Sequence, residues 1–123
     1  MGFDELYATA LGRVRYNGAA LPVYQPPVPD DPETGRPPDV YLVFNEAQAR
    51  ETLDASNAPG RIDHLVQVHV YTLDPTNLRE IMGSARAELR ASGIKTMYTG
   101  PQMYDDETGY HHLPLYSRYV EKL

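Results

Sequence analysis

The sequence predicts a mixed α/β (α+β) fold in which a single sheet of about four main strands carries helices on one face. Arg61 to Leu73 alternates between a mostly apolar face and a more polar face, and this period of two is typical of a half-buried strand. Pro75 to Ser92 spaces its apolar residues by three and four, as an amphipathic helix does. The 123 residues fit one domain, residues 1–123, that is large enough for its own core. The predicted order of elements is α-β-β-α-β-β.

The stretch Arg61 to Leu73 is predicted to be the central strand. Its even positions are expected to face the core, and they are Ile62, His64, Val66, Val68, Val70 and Thr72. Asp74 follows at once and can accept hydrogen bonds from free helix N–H groups, while Pro75 suits the first helical position. The strand therefore feeds directly into the second helix, which Gly93 is predicted to end as a left-handed cap.

The first 24 residues are predicted to form a helix, a turn and an extended piece. Phe3 to Gly12 has a helical apolar stripe, with Gly12 as its stop. Arg13 to Ala20 is a connector that contains the turn signal Asn17-Gly18, and Leu21 to Tyr24 is extended.

Two exposed loops are predicted, at residues 25–38 and 100–109. The first, called the Pro-rich loop, holds six of the eleven prolines of the chain and Val28 as its only large apolar residue. The second, called the acidic loop, contains Asp105-Asp106-Glu107-Thr108-Gly109. Loops of such length within a domain are usually functional or disordered.

The remaining strands form two hairpins. Asp39 to Asn45 has apolar residues on both faces, which predicts a strand inside the sheet or at a subunit contact. For Glu46 to Ala55 a twisted continuation of that strand is favoured, with a turn at Ser56 to Gly60, and a short helix is the alternative. Ile94 to Thr99 is a further strand. The last strand, Tyr110 to Val120, contains Pro114, which predicts a sheet edge or a break.

Composition excludes several classes of function. The net charge of −6 argues against a general nucleic-acid-binding surface, because such surfaces cluster Lys and Arg. With no cysteine, the chain has no disulfide, thiolate metal site or cysteine nucleophile. Acidic residues near the N-terminus and the lack of a long apolar run predict a soluble chain with no export signal and no membrane partner.

The sequence predicts no metal site, cofactor or catalytic constellation. His64 and His69 are an odd number of positions apart on one strand and therefore point to opposite faces, as do His111 and His112. A composite site, with a histidine from each strand and a carboxylate, remains an alternative. The acidic clusters at residues 30–35 and 105–109 are interpreted as turns, with calcium binding or acid–base chemistry as the alternative. No nucleophile elbow or phosphate loop is present.

The abundance of tyrosine, ten residues against two Phe and no Trp, favours a surface that is buried against another protein. The alternative is that tyrosines fill half-buried strand faces. The residues predicted for an oligomer or partner interface come from these tyrosines and the two loops: Tyr24, Pro26, Pro27, Asp30, Asp31, Tyr41, Tyr71, Tyr98, Tyr104, Asp105, Asp106, Tyr110 and Tyr116.

The order of elements resembles that of the tail terminator (tail completion) proteins of long-tailed bacteriophages. The resemblance rests on the N-terminal helix, Leu21-Pro22-Val23-Tyr24, the Pro-rich loop, Val40 to Phe44, the strand Arg61 to Thr72, the helix Pro75 to Ser92 and the final Tyr-rich hairpin. It covers most of the chain and depends on element order and strand texture.

The resemblance implies a non-enzymatic virion protein that is assembled in the host cytoplasm and lies at the head-proximal end of the tail. Subunits would form a homo-hexameric ring that caps the tail tube and joins the head-neck connector, with DNA passing through the lumen without specific binding. The alternatives are another phage neck or tail-tube subunit, a monomeric peptide-binding module that uses a strand edge, and a small dimeric α+β enzyme. That enzyme would need a pocket lined by histidine and tyrosine, such as His64, Tyr71 and His112.

Overall fold

Two helices and a multi-stranded sheet form the mixed α+β fold in the computed structural model, which describes residues 2–53 and 59–122. In chain order the elements are α1 (Phe3–Leu11), β1 (Arg15–Tyr16), β2 (Ala19–Ala20), β3 (Val23–Tyr24), β4 (Val40–Leu53), β5 (Pro59–Thr72), a 3₁₀ turn (Pro75–Asn77), α2 (Leu78–Ala91), β6 (Lys95–Thr99), β7 (Met103–Tyr104) and β8 (His111–Lys122). Within the described residues, no helix is both long and apolar enough to cross a membrane.

The main sheet contains six strands, where the sequence predicted about four. Its order is β3-β4-β5-β8-β6, with β7 paired to β8 beside β6. The pair β3–β4 is parallel and the other pairs are antiparallel. The additional strands β3 and β7 have two residues each, which is too short for a period of two to be visible in sequence. Strands β1 and β2 form a separate hairpin around Asn17 and Gly18, both at positive φ.

The core lies between one face of the sheet and the two helices. Along β5 the even positions from His64 to Thr72 are buried and the odd positions are half-buried, as predicted. Helix α1 contributes Tyr7, Ala10 and Leu11 to this core, and α2 contributes the buried stripe Leu78, Ile81, Met82, Ala85 and Leu89. Burial of these apolar side chains on a single face is the main term that holds the helices on the sheet.

Strand β4 continues through the stretch whose secondary structure was ambiguous. The predicted strand continuation is confirmed as far as Leu53, and the short helix is wrong. Residues 54–58, with most of the predicted turn, lie outside the described residues, whereas Gly60 belongs to β5. Bulges at Glu46/Gln48 and Thr52/Leu53 shift the alternation of β4 against β5, so a simple period of two is not expected there.

The second helix begins with a 3₁₀ turn. Asp74 caps this turn by accepting a hydrogen bond from the backbone N–H of Thr76 at 3.0 Å, and Pro75 occupies the first position, as predicted. Gly93 follows α2 at φ +81°, the left-handed conformation predicted for it.

Pro114 does not place its strand at a sheet edge, so that part of the prediction is wrong. Strand β8 lies inside the sheet and pairs with β5 along its whole length. The backbone N–H of Gly100 donates to the carbonyl oxygen of Pro114 at 2.9 Å, on the side away from β5. Because the N and C=O of a strand residue point the same way, the proline nitrogen also faces that side. On that side of β8, the pairing with β6 ends at Thr99 and the pairing with β7 begins at Met103. The N–H donor that Pro114 lacks therefore falls in the gap between these two short strands.

Candidate functional site

A row of aromatic rings crosses the sheet face opposite the helices. The register sets Tyr41 of β4 beside Tyr71 of β5, and Tyr71 beside His112 of β8. The Tyr41 and Tyr71 rings stack with centroids 5.0 Å apart, and the Tyr71 and His112 rings stack at 4.9 Å. Tyr24 and Tyr110 meet Tyr41 edge-on at 6.0 and 5.6 Å. Such pairs contribute about 0.5–1.5 kcal/mol each beyond their buried area.

The Pro-rich loop is exposed over most of its length, but it contacts this row at Val28, Pro37 and Pro38. Val28 packs against a small second core of Tyr41, Val43 and Tyr110. The Tyr110 hydroxyl lies 2.7 Å from the carbonyl oxygen of Pro37 and 2.8 Å from that of Pro38, so its hydrogen ties the end of the loop to the start of β8. This cover explains why β4 carries apolar residues on both faces.

Between the Pro-rich loop and the acidic loop lies a cleft of about 500 Å³, called the loop cleft. Its floor is the aromatic row and its walls are the two loops. It is lined by Asp30, Gly35, Arg36, Pro37, Tyr41, Tyr71, Asp105, Glu107, Thr108, Tyr110 and His112. This volume is in the range of small-molecule and side-chain binding sites.

The walls of the loop cleft are predominantly acidic. Asp30, Asp105 and Glu107 supply three carboxylates, and the single basic residue in the lining is Arg36. The Arg36 guanidinium is already paired, with its Nη2 atom 2.9 Å from Oδ1 of Asp39. The three lining carboxylates form no salt bridge with any described residue. The cleft therefore has an uncompensated negative field.

The ionisable groups of the floor are held neutral. Burial raises the pKa of Tyr41 well above its ordinary value, and neighbouring Tyr71 raises it further. Burial likewise raises the pKa of Tyr71. Burial lowers the pKa of His112, and the negative charge of Asp105 raises it by a smaller amount. Burial also lowers the pKa of His69, and the neighbouring His112 lowers it further. Both imidazoles are therefore neutral near pH 7, and the Nδ1 atoms of both are buried without a partner among the described residues.

His64 forms a separate cluster on the helix side of the sheet. Its Nδ1 contacts the carboxylate of Glu46, and its Nε2 lies 3.3 Å from Oε1 of Glu121. Phe3 and Tyr119 both stack with the ring, with centroids 5.0 and 5.9 Å away. Burial lowers the pKa of His64, but the hydrogen bonds and the negative charges of Glu46 and Glu121 together outweigh burial and raise it overall. A doubly protonated ring donating to both carboxylates is a structural ion pair.

The structure brings together some of the residues predicted for an interface and separates others. Asp30, Tyr41, Tyr71, Asp105 and Tyr110 all line the loop cleft, and Tyr24 packs on Tyr41 behind it. The others lie elsewhere. Tyr98 and Tyr116 stack at 4.7 Å where β6 pairs with β8, and Tyr104 contacts His111 where β7 pairs with β8. The backbone of Asp31 pairs with that of Arg36 in a tight turn, and Pro26, Pro27 and Asp106 are exposed.

Sequence reasoning missed the contributions of Arg36, Glu107 and the His64–Glu46–Glu121 cluster. Arg36 and Glu107 sit in loops, where no periodicity indicates which side chains point inward. Glu46 and Glu121 come from strands paired on either side of β5, so only the register reveals them. Of the pocket residues named for the enzyme alternative, Tyr71 and His112 line the loop cleft, whereas His64 does not.

Within residues 2–53 and 59–122, no group of three or more His, Asp or Glu side chains is arranged to hold a metal ion. The sequence matches no protein-family model, and no curated protein matches it.

Proposed function

We propose that the chain is a non-enzymatic structural subunit of a phage virion, resembling a tail terminator, that closes into a homo-hexameric ring. The ring would cap the tail tube at the head-proximal end and present a docking surface for the head-neck connector. It would act by shape, with DNA passing through its lumen. Another neck or tail-tube subunit is the nearest alternative in the same class.

The observation that carries this proposal is that the sheet has two unlike open edges at the same level. At Leu65 to Val68 the sheet is four strands wide, from β4 through β5 and β8 to β6. Strand β4 pairs with β3 only at Leu42 and Val43, so its outer side is open from Phe44 to Leu53 among the described residues. On the opposite side of the sheet, β6 has no further strand beside it among the described residues. Open edges are ready templates for pairing with another chain.

The two edges also differ in chemistry. The β6 edge exposes Met97 and Tyr98, which are 47% and 58% accessible, and nearby Met103 and Tyr104 are also exposed. The open part of β4 is mostly polar, with Gln48, Arg50 and Glu51 exposed, and Leu53 at its end is the large apolar side chain exposed there. A contact between unlike patches is heterologous, and heterologous contacts generate rings when the rotation between subunits closes. The acidic net charge of −6 agrees with a subunit that does not grip passing DNA.

The test is the assembly state of the purified protein over a range of concentrations, measured by light scattering and negative-stain imaging. We expect closed rings with a central opening, and we expect Met97→Lys to shift the population toward monomer because it places a charge in the β6 contact. Ala8→Lys is the matched control, since Ala8 is exposed on α1 and belongs to neither edge strand. A compact dimer, or equal effects of the two substitutions, would contradict the proposal.

The loop cleft favours a second candidate, the small dimeric enzyme with a histidine-lined pocket, because Tyr71 and His112 both line it. This candidate requires that the protein is a dimer and that its catalytic rate depends on the protonation state of His112. It is tested by the light-scattering experiment together with His112→Gln. A dimer whose activity disappears in that variant would favour the enzyme, and a ring would exclude it.

A further inference from the structure

The floor of the loop cleft offers hydrogen-bonding edges instead of open ring faces. Both faces of the Tyr71 ring are covered, one by Tyr41 at 5.0 Å and the other by His112 at 4.9 Å. Tyr41 is only 6% exposed yet lines the cleft. A ligand resting on this floor therefore meets ring edges and neutral phenol groups, and it cannot stack on the face of Tyr71. This argues against an aromatic cage for a quaternary ammonium ion, which needs open ring faces.

The charge of the cleft selects a cation that donates hydrogen bonds. Asp30 stands in the Pro-rich loop, while Asp105 and Glu107 stand in the acidic loop. These carboxylates repel a phosphate or a carboxylate ligand. Arg36 can offset at most one of these three charges, and its guanidinium also pairs with Asp39. In the acidic loop the Glu107 backbone N–H donates to Asp105 Oδ1 at 3.0 Å, so the Asp105 carboxylate is held in place before a ligand arrives.

We propose that the loop cleft binds an arginine side chain presented by a protein partner. A guanidinium has five N–H donors in a planar fork and can reach carboxylates on both walls, whereas an ammonium is a compact point charge with three donors. The cleft volume of about 500 Å³ also leaves room for the apolar stem of the arginine beside Pro37 and Tyr110. An arginine side chain alone does not fill that volume, and in a protein partner the flanking backbone, which free agmatine lacks, would occupy the remainder. The inference does not require ring formation and applies equally to a monomer.

The experiment is calorimetric titration of the full chain, at low ionic strength, with the peptide acetyl-Gly-Arg-Gly-amide. Peptides with lysine or citrulline in place of arginine, and free agmatine, are the comparison ligands. We expect the arginine peptide to bind most tightly, and the citrulline peptide to bind at least about tenfold more weakly, because it has lost the charge that strengthens each hydrogen bond.

Two double variants separate the cleft from general surface charge. Asp30→Asn with Glu107→Gln removes one carboxylate from each wall, and we expect about a tenfold to hundredfold weaker binding of the arginine peptide. Asp106→Asn with Glu33→Gln changes the net charge equally at exposed positions outside the cleft lining, and it should weaken binding much less because it lowers only the long-range attraction. Thermal melts of both variants confirm folding.

The proposal is overturned if the arginine peptide does not bind, if lysine or citrulline peptides bind equally well, or if both double variants weaken binding to the same extent. Agmatine binding as tightly as the peptide would overturn the assignment of a protein partner. Because binding is measured per subunit, these outcomes do not depend on whether the chain forms a ring.

Discussion

The buried hydrogen-bond chain from α1 to the centre of the sheet leads to the sharpest stability prediction. The Tyr7 hydroxyl and Ser117 Oγ are 2.6 Å apart, and Ser117 Oγ donates to the carbonyl oxygen of Val66 at 2.9 Å. Because the serine hydrogen is used on Val66, the tyrosine must donate to the serine. Tyr7 and Ser117 are both completely buried. Burial raises the pKa of Tyr7 to about 12, partly offset by Ser117, so the phenol remains a donor at ordinary pH.

The two ends of this bond are not equivalent, and the difference sets the expected magnitudes. Tyr7→Phe removes the donor but leaves Ser117 bonded to Val66, so it should cost about 1 kcal/mol, the net value of one hydrogen bond. Ser117→Ala leaves the Tyr7 hydroxyl buried without its acceptor, a penalty of about 1–3 kcal/mol on top of the lost bonds. The double variant no longer has the stranded hydroxyl, so its cost should fall below the sum of the single costs by at least the stranding penalty of about 1–3 kcal/mol.

Urea unfolding followed by circular dichroism measures these free energies, with all variants at one concentration and in the same assembly state. Tyr104→Phe removes a hydroxyl from an exposed ring and should change stability by less than about 0.5 kcal/mol. A larger cost for Tyr7→Phe than for Ser117→Ala, or strict additivity in the double variant, would refute the assigned donor direction and the coupling.

Three further predictions concern pH, glycine and loop accessibility. The raised pKa of His64 contributes stability that is fully present below pH 6.5 and is lost as pH rises through the folded-state pKa. His64→Gln should therefore flatten the alkaline side of a plot of unfolding free energy, measured in urea, against pH. The lowered pKa of His69 acts oppositely, and its contribution to stability is lost as pH falls below 6.5. Gly93→Ala should destabilise by about 1 kcal/mol because φ is +81°, whereas Gly83→Ala, inside α2 with open space around the added methyl, should stabilise by about 0.5–1 kcal/mol in the same assay. Proteinase K should nick the Pro-rich loop first, and protection throughout residues 25–38 would contradict its assignment as an exposed loop.

The parts of the fold that sequence predicted best are those in which a period persists over many residues. The alternation along β5 and the three-and-four spacing of α2 each extend over a dozen residues, so single exceptions do not obscure them. The prediction for Pro114 was wrong because it treated a proline as a property of the whole strand. In the structure, Pro114 lacks an N–H donor at one position and on one side of β8 only. On that side β6 has already ended, so no strand partner needs that donor.

The sequence could predict which residue types line the loop cleft, but not how they are arranged. Tyrosines and acidic loop residues were visible in sequence, but the stack of Tyr41, Tyr71 and His112 depends on the register of three strands far apart in the chain. The inward direction of Arg36 and Glu107 depends on loop conformation, which has no periodic signal. The hydrogen bond from Tyr110 to the end of the Pro-rich loop likewise joins residues more than seventy positions apart.

The proposed ring contact and the loop cleft occupy different levels of the same sheet, and this separation makes the two proposals independent. The cleft floor lies at Tyr71, near one end of β5, whereas the two open edges lie at the level of Leu65 to Val68. These levels are three to six residues apart on β5, which corresponds to roughly 10–20 Å. Met97→Lys should therefore reduce self-association while the arginine peptide binds each subunit as tightly as before. Loss of both properties in that variant would mean that the cleft is completed by a neighbouring subunit.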